Sequence, residues 1–207
     1  GKSTGAKMVA KKYNLKFLSS GLLYRYASFL ILKYNPKNEV LFLQKYFKKL
    51  NYKKLNKINL HHQKISAHSA QIAKRAKIRK ILKKFQIDFS KKYRNCCIEG
   101  RDISTKILPK SDIKFFFKCN LNIAAKRRYA ELKKYNSKIK FTDVKKALRI
   151  RNILDTKRKN SPLLKHRDSV EIDTGKLDKK AMIAKMSRYV EKVIKKKYGN
   201  RVRIKRV

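Results

Sequence analysis

The chain has 207 residues and a mass of 24.5 kDa, 42% of it hydrophobic, enough for one domain with a sizeable core and a smaller appendage. It contains no run of about 18 apolar residues and no secretory n-region, h-region and cleavage pattern, so neither a membrane span nor an export signal is legible and a cytosolic protein is expected. The net charge of +46 points toward polyanions, but Lys (44) far outnumbers Arg (15) and the lysines are spread along nearly every segment, so a solvated basic surface is expected in place of a specific nucleic-acid footprint.

The first predicted element is a helix from about Ser3 to Tyr13, with Ala6, Val9 and Ala10 on one face, followed by a short strand over Leu15–Leu18 ending at Ser19-Ser20-Gly21. A second helix runs from Leu22 to Lys33 and is stopped by Asn35-Pro36. Residues 37–65 are rich in Lys, Asn and Leu, with an amphipathic stretch near Val40–Leu50, and are expected to form an insert. One long helix is predicted over Ser66–Lys91, its apolar face made by Ile72, Ala76, Ile78, Leu82, Phe85 and Phe89. Three short apolar runs follow, at Asn95–Ile98, Ile113–Cys119 and Ser169–Ile172, separated by helices over Ile123–Lys134 and Phe141–Ile153 and closed by a helix over Leu177–Lys196. This alternation is the βαβ pattern of a doubly wound parallel sheet.

Cys96, Cys97 and Cys119 lack metal-pair spacing and sit in apolar runs, so they are predicted to be reduced core thiols. His61, His62, His68 and His166 also lack metal spacing and are read as surface or packing residues.

Four groups of residues carry chemistry. Gly1-Lys2-Ser3-Thr4 stands directly ahead of a helix and matches the last residues of a phosphate loop, G-x-x-x-x-G-K-[ST], where backbone N–H groups, a lysine and a hydroxyl meet phosphates and Mg²⁺. Ser19-Ser20-Gly21-Leu22-Leu23-Tyr24-Arg25 offers an arginine just past a strand end, where it can fork onto a phosphate. Glu99-Gly100-Arg101-Asp102-Ile103-Ser104-Thr105 pairs a guanidinium with a carboxylate at another strand end. Arg151, Asp155 and Arg158 fall at i, i+4 and i+7, sharing one helical face that can grip a sugar-phosphate. Taken singly, each group also reads as a surface cation or a turn salt bridge.

Their order resembles the bacterial cytidylate kinases, from Gly1 to about the last helix. Ala70-Gln71-Ile72-Ala73, Pro109, the Ala124-Ala125-Lys126-Arg127-Arg128-Tyr129 helix and Ile172-Asp173-Thr174 extend the match. The resemblance implies an α/β fold of the P-loop NTPase kind, a three-layer α/β/α arrangement around a parallel sheet. The first strand and the first half of the phosphate loop are missing from this sequence, and the chain as written is expected not to turn over ATP. It further implies a single kinase domain over 1–207, with a core at 1–33 and 92–207, an NMP-binding region at 34–91 and a short lid at 135–160.

The implied reaction is phosphoryl transfer from ATP to CMP or dCMP, with Mg²⁺ as cofactor, by a monomer with no nucleic-acid or membrane partner. Gly1, Lys2, Ser3 and Thr4 would bind ATP, with Ser3 on the metal and Lys2 and Arg158 catalytic. Ser20, Arg25, Lys77, Arg101, Asp102, Arg151, Asp155 and Arg158 would bind CMP. Among these, Arg25, Arg101 and Arg158 would hold the phosphate, Asp102 the cytosine, and Asp155 and Arg151 the ribose. No general base is required, since the acceptor phosphate is itself the nucleophile. The sequence departs from the family at Ala70, where a cytosine-contacting serine is usual, with Ser69 one place away. It departs also at Lys77 (an arginine), Ser19 (an aspartate), Ser104 (a small residue) and Ile153-Leu154 (polar lid residues). The alternatives are another acceptor such as UMP, or a nucleic-acid-binding protein on a degenerate kinase fold.

Overall fold

The computed structural model describes residues 1–56, 58–60, 62–134 and 137–199. Helix α1 (Lys2–Lys12) begins directly after Gly1 and buries Gly5, Ala6, Val9 and Ala10. Asn14, at φ 50°, reverses the chain into β1 (Lys16–Ser19). Ser19 ends that strand and caps α2 (Ser20–Tyr34), its hydroxyl accepting from the Leu22 N–H at 3.4 Å. The left-handed Asn35 ends α2 ahead of Pro36, and Asn38 caps α3 (Glu39–Lys48) in the amphipathic part of the insert. A 3₁₀ turn covers Tyr52–Asn56.

The long helix predicted over Ser66–Lys91 is two helices, α4 (Gln63–Ile72) and α5 (Ala76–Lys92), broken at residues 73–75 where Arg75 is extended (φ −83°, ψ 112°). No proline or glycine marks the break. Tertiary contacts hold it instead: Arg75 pairs with Glu39 of α3, and the Ala73 carbonyl accepts from Arg79 Nη1 at 3.1 Å. Past α5 come β2 (Cys96–Glu99), a single π turn over Ile103–Ile107, β3 (Phe115–Lys118), α6 (Leu121–Lys133), α7 (Phe141–Lys157), β4 (Val170–Asp173) and α8 (Lys179–Tyr198).

The strands form two parallel pairs. β1 lies on β2 with Phe17 opposite Cys97 and Ser19 opposite Glu99; β3 lies on β4 with Phe117 opposite Ile172. Among the described residues the pairs share no ladder, so the single continuous sheet expected from the sequence is not seen. A cleft of about 1360 Å³, lined by both β2 and β3, lies between them. The core is divided in the same way. Leu18, Leu23, Leu30, Leu43, Leu82 and Phe89 join β1, α2, α3 and α5, while Val9, Ile172, Met182, Met186 and Val190 join α1, β4 and α8. The three thiols are free; Cys96 and Cys97 are half-buried, but Cys119 is exposed, because β3 ends at Lys118 and the residue after it sits in the turn to α6. No helix among the described residues is long and apolar enough to cross a membrane.

Candidate active site

Two parallel strands, β1 and β2, end side by side at Ser19 and Glu99, and the first turn of α1 meets them there. The Glu99 carboxylate, 6% exposed, accepts from Lys2 Nζ, from Ser3 Oγ at 2.8 Å and from Ser19 Oγ at 2.5 Å. Burial alone would raise Glu99, but the Lys2 charge and the three hydrogen bonds hold it below its ordinary value. Lys2 is also lowered, by desolvation first, with Arg101 and Arg151 adding repulsion against the pull of Glu99. The two shifts describe the pair in opposite senses, and the carboxylate's direction, which rests on three donors, is the firmer. Thr4 lies one step further along α1, half-buried, and Gly1 stands against Thr174, whose side chain would lie 2.6 Å from a Cβ there.

Gly100 carries the chain from β2 into the second half of the site. A Cβ on it would meet Ile103 at 2.6 Å and Ser20 at 3.1 Å, so any larger residue would have to displace the Ile103 side chain and press on the buried first residue of α2. Arg101 and Asp102 then diverge. Arg101 Nε lies 3.0 Å from Asp155 Oδ2, and Asp102, 4% exposed, pairs with Arg79 Nη2 through Oδ2 and faces Arg158 Nη2 at 3.8 Å through Oδ1. The π turn begins immediately after Asp102, whose carbonyl accepts from Lys106 and Ile107.

Arg151, Asp155 and Arg158 do converge, though not on one helical face. Helix α7 stops at Lys157; Arg158 is extended (ψ 137°) and turns back, its Nε donating to the Ser161 carbonyl at 2.5 Å while Nη1 lies 3.5 Å from Asp155. Arg151 lies 3.9 Å from the same carboxylate. Desolvation and the nearby Arg101 push Arg151 down to about 10, with Arg25 and Arg128 adding to it. Arg25 is half-buried and lowered by desolvation and by Arg128. Asp155 Oδ2 and Arg158 Nη2 are buried without a well-formed hydrogen bond, despite counter-charges nearby. Buried polar groups left short of partners are groups a ligand can complete.

Lys77 is not part of this cluster: it is exposed on α5, and Arg79, two residues on, occupies the site. Arg79 shares the buried stripe of α5 with Leu82, Gln86 and Phe89. A cation in the apolar stripe of an amphipathic helix was the available signal. Glu99 was also legible only as part of a motif, because its three donors come from α1 and from the end of β1. Ala70 is exposed, and the neighbouring Ser69 hydroxyl is turned onto the Ser66 carbonyl at 2.8 Å. Of the histidines, His68 Nδ1 lies 2.8 Å from the Ser28 hydroxyl, His62 and His166 accept from backbone N–H groups, and His61 lies outside the described residues.

Lys2 and Ser3 at the start of α1, a carboxylate beneath them and a fan of arginines beyond are groups suited to phosphate and nucleotide chemistry. A family profile described as cytidylate kinase matches residues 1–192. The chain is 33% identical to a cytidylate kinase of Clostridium tetani, covering 96% of this chain and 92% of that protein. It is 32% identical to one of Bartonella tribocorum (94% and 91% covered) and 31% identical to one of Mesomycoplasma hyopneumoniae (92% and 88%). The chain belongs to the cytidylate kinase family.

Proposed function

We propose the following division of labour for the family's reaction, the ATP-dependent phosphorylation of CMP or dCMP, which is the reaction of this chain. Gly1 to Thr4 hold the ATP phosphates, with backbone N–H groups and the start of α1 facing them and Lys2 following the charge as it develops. Family membership implies Mg²⁺, and the donor set suits a hard cation: the Ser3 hydroxyl and the Glu99 carboxylate already lie 2.8 Å apart. Bound to those oxygens and to the ATP phosphates, Mg²⁺ would supply charge neutralisation.

On the acceptor side Arg25, Arg101 and Arg158 grip the CMP phosphate, while Arg151 and Asp155 meet the ribose. Asp102 accepts the amino group of the base, with Arg79 donating beside it. Arg158 spans both jobs, since it touches the carboxylates of Asp102 and Asp155. Rate enhancement then comes from alignment and from arginine charge fixed in advance, two of the arginines, Arg79 and Arg158, being largely buried. The finer architecture belongs to the same reading: a three-layer core, an NMP-binding region over 34–91, a lid over 135–160 and a cytoplasmic setting.

The observation that carries this assignment is the convergence of Arg79 and Arg158 on Asp102, beside Arg101 and Arg151 on Asp155. Initial rates of the full-length protein with CMP, dCMP, UMP and AMP test it. Preference for the cytidine nucleotides is expected, and equal rates with all four would remove the base-reading role from Asp102.

A further inference from the structure

The Arg79 guanidinium is held on three sides. Nη2 donates to Asp102, Nη1 donates to the Ala73 carbonyl at 3.1 Å, and its Cζ lies 5.6 Å from the centre of the Tyr24 ring. The three supports come from separate pieces of chain: the turn after β2, the break between α4 and α5, and the first turn of α2. Hydrogen bonds to the carbonyl and the carboxylate use two of five N–H donors and fix two points of the plane. They leave the plane free to tilt about the line between them. A ring face removes that freedom, since a cation within about 6 Å of an aromatic face is attracted to it.

The Tyr24 side chain is half-buried, and its hydroxyl makes no hydrogen bond among the described residues. Burial, with Asp102 adding to it, pushes the phenol up to about 12 against the pull of Arg79 and Arg158, so the ring stays neutral. What the residue offers Arg79 is its face. We propose that Tyr24 is a positioning residue for acceptor recognition, its ring fixing the plane of the Arg79 guanidinium so that the unused donor edge meets the pyrimidine beside Asp102. This rests on the acceptor-site reading given above. Tyr24 and Arg25 are consecutive, so one turn of α2 sets both the plane of the base reader and the arginine assigned to the phosphate.

The test compares Tyr24→Phe, Tyr24→Leu, Arg79→Met and the Tyr24→Leu/Arg79→Met double variant of the full-length protein. CMP and UMP affinities are measured by calorimetry, KM and kcat for CMP at saturating ATP, and melting temperature as a check on folding. Tyr24→Phe should stay within about twofold of the parent, while Tyr24→Leu should weaken CMP about tenfold in KM and affinity with kcat little changed. In the Arg79→Met background the Tyr24→Leu effect should vanish, since nothing remains to be positioned. Tyr24→Met, closer in length to tyrosine but without a ring face, takes the place of Tyr24→Leu if that variant melts early.

A Tyr24→Phe protein as impaired as Tyr24→Leu would make the hydroxyl the working group and overturn the proposal. Losses that multiply in the double variant would reduce Tyr24 to core packing and overturn it as well. Unchanged CMP and UMP binding in Arg79→Met would instead overturn the acceptor reading on which the proposal stands.

Discussion

At the donor end of the site one carboxylate, Glu99, gathers Lys2, Ser3 and Ser19, whereas at the acceptor end two carboxylates, Asp102 and Asp155, are shared among Arg79, Arg101, Arg151 and Arg158. A lysine is a point charge on a flexible stem and exchanges partners readily; an arginine fork imposes direction. The donor end is thus satisfied within the protein, and on the proposed assignment Lys2 would trade Glu99 for phosphate when ATP binds. The acceptor end keeps its forks oriented in advance and leaves Asp155 Oδ2 and Arg158 Nη2 unfinished. On that assignment preorganisation is concentrated where the smaller substrate would be recognised by shape and by hydrogen bonds.

Removing a shared carboxylate is the sharpest way to break this contrast. Asp102→Ala removes the carboxylate paired with Arg79, whose side chain is only 10% exposed, and leaves it facing Arg158, which keeps Asp155. Urea unfolding should show a stability loss of about 3–5 kcal/mol, alongside loss of CMP turnover. Arg101→Ala should lower kcat/KM for CMP by roughly 100- to 1000-fold with ATP affinity unchanged, and Arg101→Lys should recover little of it, because an ammonium cannot reproduce the fork. If Arg101→Lys restored most of the activity, the acceptor end would be a field of charge and not an oriented array.

At the donor end, Lys2→Met should weaken ATP about tenfold to a hundredfold by calorimetry while CMP affinity holds, the loss of one charge-assisted contact. A smaller effect separates the ends by pH. Glu99 sits below its ordinary 4.5, so between the two values the unfolded chain carries more protons and stability rises with pH. Its contribution is complete above pH 4.5 and is lost as pH falls through the folded value. Melting temperatures between about pH 5 and pH 3 should fall less steeply for Glu99→Gln than for the parent. The smallest expected change is at Lys77, exposed and outside the cluster. Lys77→Ala should alter stability by less than about 0.5 kcal/mol and leave CMP kinetics as they are, while Arg79→Ala should not.

Local chemistry made much of this protein legible from its residues alone. Strand ends near Ser19 and Glu99 and the stop at Asn35-Pro36 follow from periodicity and turn chemistry, which act over a few residues, and the order of the Gly1-Lys2-Ser3, Arg25, Arg101-Asp102 and Arg151/Asp155/Arg158 groups carried the family resemblance. Three things were settled only when the chain closed on itself. The break between α4 and α5 has no local cause and is held by Glu39 and Arg79. The choice of Arg79 over Lys77 depends on which side of α5 faces Asp102, and a two-residue step along a helix turns a side chain by about 200°. The partnership of Glu99 with Lys2 joins residues far apart in sequence that meet because β1 and β2 run parallel under the start of α1. Side chains that must satisfy each other's charge inside a low-dielectric cleft are selected by geometry from several elements at once, and no window of sequence contains that geometry.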